Sequence, residues 1–352
     1  MSKLNVHEKY FQTITERRIP YFDFLRGIAI IMVCAIHTFG QCYNLESVSF
    51  FAVAVRQIMN CAVPIFCASS AYFFIDRDFC GSNYACFLKK QIIRVYVPLL
   101  FCSIPYFILD LKNGNELWKA VLNLLFCGYS VYYFVALIIQ FYVLLPLFQK
   151  IRIFRNIFFG FVITLAWVFV YIYFIDPIVT LPSVMYGGPI FCFWVYFALG
   201  SFLKENSIVA LKSRIVTIIF IVLFLVLSIC ESFFLMNKTQ SLGGTGLKPS
   251  AVLFSSTVVF ALYGFRLEKK YKQNFITKTV ELLGKYSYGI YLTHLFALTV
   301  FNKLLKFIFK NIILTGGGDW LFLTLAILVL DFAVLFVVRK IFPKQAHLLL
   351  GV

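Results

Sequence analysis

Charged side chains are scarce in this chain: Asp, Glu, Lys and Arg together make up 13% of its 352 residues. Soluble domains run near a quarter charged, so a soluble globular protein is excluded. Acidic residues are scarcer still, 15 against 32 Lys and Arg, which leaves a net charge of +17. Ten cysteines occur without a single C-x-x-C pair, and Cys34, Cys67, Cys102 and Cys192 lie among apolar neighbours. That pattern marks small buried hydrophobes rather than a metal or disulfide framework. Internal repeats and low-complexity tracts are missing as well, so one membrane domain over residues 1–352 is expected. No A-x-A cleavage site follows the first apolar run, and that run is expected to stay as a span.

What is abundant is apolar, 61% of the chain. The runs are continuous and near the roughly 20 residues that a spanning helix needs. A membrane barrel would instead alternate polar and apolar residues. The fold class is therefore an all-α integral membrane protein. Ten spans are expected, at about 21–42, 49–74, 95–111, 130–149, 156–175, 187–203, 215–236, 250–265, 287–309 and 320–342. Residues 84–94 read as an amphipathic surface helix, and 114–127 as a short interfacial one. In a soluble protein +17 would suggest nucleic acid; here the basic residues fill alternate connectors. One set includes Lys3, Lys9, Arg17 and Arg18, then Arg77, Lys89, Lys90 and Arg94, then Arg266 to Lys285 and the tail. The other holds Lys112, Lys119, Lys238, Lys248 and, near the far end of the ninth span, Lys303, Lys306 and Lys310. The positive-inside rule then puts both termini in the cytoplasm, as an even number of spans requires.

The first span, "FDFLRGIAIIMVCAIHTFG" (22–40), carries Asp23, Arg26 and His37. Arg26 and His37 are eleven residues apart, about 20° from whole turns, so they share one face about 16 Å apart along the axis. Asp23 stands three residues before Arg26, in pairing range. Intramembrane charge is expensive and usually functional. A histidine serves as general base near neutral pH, and an arginine holds phosphates. The alternative is a snorkelling arginine and a histidine satisfied by a neighbouring helix. In the ninth span Ser287, Tyr291 and His294 form a second stripe, which interhelical hydrogen bonding alone would also explain. Glu231 and Asp331 lie inside spans, where either could orient a histidine or pair with Arg56.

These segments together resemble acyltransferase family 3. "DFLRGIA" with His37 is similar to that family's first-span motif. "VPIFCASSAYFF" (63–74), "VYYFVALIIQFYVLLPLF" (131–148), "FWVYFALGSFL" (193–203) and "LGKYSYGIYLTHLF" (283–296) are similar to its later segments. Two departures stand out: Gln91 replaces the first arginine of the family's R-x-x-R before Pro98, and Ser69-Ser70 replaces its S-G. The resemblance implies transfer of an acyl group, acetyl in the first instance, from acyl-CoA to a hydroxyl. The acceptor would be an extracytoplasmic polysaccharide or lipid-linked sugar, and the location a bacterial inner membrane. It casts His37 as the base or the first acyl acceptor. Arg26, with Asp23 beside it, would hold donor phosphates or developing charge. Lys90 and Arg94 would bind the donor, with Lys90 supplying the charge that Gln91 lacks. Ser287, Tyr291 and His294 would bind substrate or shape the cavity. No metal is expected. Acetyl-CoA is the donor, no nucleic acid is involved, and with no hydrolase-like domain after the tenth span a self-contained enzyme is expected. The rival readings are a transporter or flippase of a polysaccharide precursor, which inverted repeats would favour, and a structural partner in an envelope assembly.

Overall fold

The computed structural model describes residues 19–44, 48–77, 83–179, 181–206, 214–239, 246–310 and 314–352. The basic residues of the N-terminal tail lie outside that set. Among the described residues there are helices and no strands. In chain order they are α1 (Pro20–Cys42), α2 (Phe50–Met59), α3 (Ala62–Phe74), α4 (Asn83–Lys112), α5 (Leu117–Leu125), α6 (Tyr133–Lys150) and α7 (Ile153–Val170). Then come α8 (Trp194–Glu205), α9 (Arg214–Thr239), α10 (Pro249–Gly264), α11 (Phe275–Ile308), α12 (Gly316–Ile341) and α13 (Pro343–Leu350). Short turns at Ser130–Tyr132, Ser183–Tyr186 and Ile190–Cys192 join them, and α7 ends in a π-helical turn, Tyr171–Ile175.

Eight helical stretches among the described residues are long and apolar enough to cross a membrane. The other two expected spans, 187–203 and 287–309, do not meet that description: the first is helical only from Ile190, and the second lies in a helix that is long enough but too polar. Each has an interior stretch. Val195–Leu199 of α8 and Gly289–Leu292 of α11 are buried in protein, so they need no lipid-matching surface. The α8 helix has only 12 residues, about 18 Å of rise. The 34 residues of α11 carry a polar stripe that faces neighbouring helices. Lipid-facing helices show the reverse: Ile215, Val216, Ile218, Ile219 and Val222 of α9 are all exposed.

Two other expectations change. The second span is two helices broken at Asn60–Cys61. Pro64, lacking an N–H, sits in the first turn of α3, where none is needed. Residues 84–94 are not a separate surface helix but the first turns of α4, which runs unbroken through Pro98 and Pro105. At 30 residues it rises about 45 Å, longer than the ~30 Å hydrocarbon core, so its basic first turns extend beyond the apolar layer.

The α1 helix is central. It packs on α11, α12, α3 and α2, and its backbone meets that of α11 directly. A Cβ on Gly27 would lie 2.0 Å from the Val280 carbonyl oxygen, and one on Gly284 would lie 1.8 Å from that of Asp23. Small residues at such crossings let membrane helices approach closely. Further along the helix α1 is pinned to α12. Trp320 Nε1 donates to Ala35 O at 2.8 Å, and the Thr38 and Thr324 hydroxyls meet at 2.7 Å. These contacts fix the rotation of α1 and aim His37 at α11.

Candidate active site

The glycine contact brings the two polar stripes together. At the end of the bundle where α1 begins, α1, α3, α4, α6 and α11 enclose a cavity of about 1210 Å³. Asp23 and Arg26 line it, with Arg26 Nη1 3.3 Å from Asp23 Oδ1 and its guanidinium 5.3 Å from the centre of the Phe73 ring. Lys90 and Arg94 line it from α4, as their four-residue spacing predicts, and Gln91 lines it between them, buried. Lys89 is not in the lining. Two further cations, Arg77 and Lys285, complete the basic wall. Arg77 stacks over Phe74 and Phe87, 4.8 and 5.4 Å from their ring centres.

The cavity stops short of the histidines. Ser287 and Tyr291 line it, whereas His37 and His294 do not. At its inner end three rings form a collar: Phe66 lies 5.9 Å from Phe134, and Phe134 5.5 Å from Tyr291, centre to centre. The Tyr291 hydroxyl is tied to Val131 O. The polar face of α1 therefore runs from Arg26 to His37 as its register predicts, but an aromatic layer divides it.

Beyond the collar the two histidines meet. The rings of His37 and His294 are 5.2 Å apart, and Tyr291 is 6.2 Å from His294. His294 Nδ1 lies 2.8 Å from Tyr291 O and 3.1 Å from Ile290 O. Carbonyl oxygens only accept, so Nδ1 carries the hydrogen and Nε2 the lone pair. That Nε2 is buried and has no hydrogen-bond partner among the described residues. His37 is the more accessible of the two, half-buried against 1% exposure for His294.

A family model described as "Acyltransferase domain" matches residues 19–338. The chain belongs to acyltransferase family 3. No curated protein and no solved structure matches it. Four of the five segments that resembled the family meet around the cavity in this acyltransferase; 193–203 does not line it. Its first-span motif supplies Asp23, Arg26 and His37. Gly27 of that motif and Gly284 of the ninth-span motif are the glycines of the helix crossing. The Ser69-Ser70 departure sits on the cavity wall. Ser69 hydrogen-bonds with the Tyr263 hydroxyl at 2.5 Å, and Ser70 Oγ donates to Phe66 O at 3.0 Å.

Neither intramembrane acid of the acyltransferase pairs with Arg56. Glu231 accepts from Tyr173 Oη at 2.6 Å and from Ser250 N at 3.0 Å, and it also binds the Ser250 hydroxyl. Asp331 is buried on α12, and its Oδ2 has no hydrogen-bond partner among the described residues. Lys248, expected as a connector charge, is 0% exposed; its Nζ donates to Ser228 O at 2.8 Å and to Ser232 Oγ. Among the described residues no three of His, Cys, Asp and Glu gather as a metal-ligand set. Sequence reasoning missed Arg77 and Lys285 as cavity residues. Lys285 could have been found from its place one turn before Tyr288, which also lines the cavity; Arg77 follows the end of a helix, where no periodicity points at a partner.

Proposed function

We propose that this acyltransferase carries an acyl group, acetyl in the first instance, from cytoplasmic acyl-CoA to a hydroxyl of an envelope polysaccharide or lipid-linked sugar. The observation that carries the proposal is a basic cavity at one end of α1 with a histidine pair beyond its floor. Ten crossings with both termini in the cytoplasm of a bacterial inner membrane belong to the same reading, because they set the basic mouth of the cavity against the donor pool. Arg26, Lys90, Arg94, Arg77 and Lys285 would hold the coenzyme A phosphates through charge-assisted hydrogen bonds. Asp23 orients Arg26. The acyl-pantetheine arm follows the wall of Ser287 and Tyr291 through the collar.

At the histidine layer the acceptor hydroxyl attacks the thioester carbonyl. The new C–O bond forms, the C–S bond breaks, and the coenzyme A thiolate leaves. His37 takes the hydroxyl proton as general base. His294 is a positioning residue: its Nε2, without a partner among the described residues, would accept the other N–H of His37 once substrate is bound and so hold that ring in its productive tautomer.

The test is to incubate membranes that contain the protein with acetyl-CoA labelled in the acetyl group, and to follow label into envelope glycans. Label in glycans only when the protein is present supports the reading. Movement of unmodified precursor across the membrane, with no label incorporated, would refute it in favour of a flippase.

A further inference from the structure

Outside the lining of that cavity lies a second polar cluster, on α2. Arg56 projects from α2, half-buried, with its charge in electrostatic reach of His37, Tyr133 and Lys248. Its one hydrogen bond is to Asn60 Oδ1, and it has no ion pair among the described residues. Beside it Gln57 is 0% exposed. Gln57 Oε1 accepts from Asn60 Nδ2 at 3.0 Å and Ser228 Oγ at 3.1 Å, but Gln57 Nε2 donates to nothing. Glu231, the acid of this region, acts on Lys248 and is held by Tyr173 and Ser250. The cluster therefore holds two cations against one engaged carboxylate, with a surplus of donors on Arg56 and Gln57. A cation kept inside a membrane protein is normally paired. Here the missing partner is an acceptor-only group beside the proposed base.

We infer that Arg56 binds an oxyanion of the acceptor, a carboxylate or a phosphate, and so presents the hydroxyl near that anion to His37. This rests on the acyl-transfer reading and names the substrate class: an acidic sugar or a phosphate-bearing glycan. Arg suits the role because its planar fork pairs with carboxylate and phosphate oxygens two at a time. Tyr133 and Asn60, the neighbours of Arg56, would contact the adjoining sugar.

The experiment uses the native host, with the chromosomal gene deleted or encoding wild type, Arg56→Gln or Arg56→Lys, and equal protein in the membrane of the last three verified by immunoblot. Cells are fed labelled acetate. Envelope glycans are depolymerised to short fragments and separated by anion exchange, with and without phosphatase. In the wild type, ester-linked label is expected on acidic fragments, and its sensitivity to phosphatase sorts phosphate from carboxylate. Arg56→Gln should lower that label about tenfold or more, as loss of a charge-assisted contact does, and Arg56→Lys should restore part of it. Label confined to neutral fragments overturns the inference and leaves acyl transfer intact. So does label on acidic fragments that Arg56→Gln does not reduce. Absence of protein-dependent label from every fraction refutes acyl transfer itself, and this inference with it.

Discussion

Gly27→Ala tests whether the crossing of α1 and α11 sets the site. The added methyl would stand 2.0 Å from Val280 O, 2.7 Å from Val280 Cγ1 and 2.8 Å from Val280 C. A rotamer change can move Cγ1 but not the carbonyl, and Cβ atoms do not tolerate contacts below 3.0 Å. The two helices must therefore part by about 1 Å. Overpacking of this kind costs about 1–3 kcal/mol. Separation also displaces Asp23 and Arg26 from the α11 side of the cavity and His37 from His294, and a misplacement of about 1 Å can cost about 10² in rate. The control is Gly40→Ala, in the same helix, where the new Cβ meets nothing within 4 Å. That variant should match or slightly exceed the parent, because alanine favours helix by about 0.5–1 kcal/mol. Thermal unfolding in detergent and labelled acetyl transfer would be measured for both. If Gly27→Ala melted and turned over like Gly40→Ala, the crossing would not govern the geometry.

His37→Ala should lower acyl transfer by about 10²–10⁴ with normal membrane levels, whereas His294→Gln should leave more activity than His37→Ala and shift the pH–rate profile; the reverse order would exchange their roles. Lys90→Ala and Arg94→Ala should each raise the donor KM, less so at high salt because the contacts face water, and titration with acetyl-CoA that found both unchanged would remove them from the phosphate site. Gln91→Arg is expected to retain activity, since Gln91 lines the cavity between two cations, and a loss of donor binding would argue against the R-x-x-R reading. For topology, Ile178 is 81% exposed and follows the fifth expected span, on the side expected to face outward. With Cys86 and Cys230 replaced, a cysteine at Ile178 should react with an impermeant reagent in intact cells and one at Lys272 only after permeabilisation; the opposite pattern would invert the orientation.

Much of this was legible along single helices, because a helix has a known period. Arg26 to His37, Lys90 to Arg94, and Ser287 to His294 each fall on one face by count alone; Lys90 and Arg94 line the cavity together, whereas only the Arg26 and Ser287 ends of the other two reach it. Relations between helices were not legible. The meeting of His37 with His294, 257 residues apart in the chain, depends on Gly27 lying against Val280 and on Trp320 holding Ala35. The aromatic collar joins Phe66, Phe134 and Tyr291 from three helices, and no spacing rule links them. The hydropathy signal also misjudged context. Lys248 looked like a loop charge and is buried on serines, and α8 looked like an ordinary span and is a short interior helix. Composition registers how apolar a segment is, not whether lipid or protein surrounds it.

The position of the collar has an electrical consequence. A hydrated cavity of this size, continuous with one aqueous phase, carries that phase's potential deep into the protein. On the proposed reading the membrane voltage would fall across what remains: the rings of Phe66, Phe134 and Tyr291 and the histidine layer behind them. A unit charge crossing the whole field changes energy by about 2.3 kcal/mol per 100 mV, so a proton moving at His37 would move within that field, and acyl transfer would respond to the energised state of the membrane.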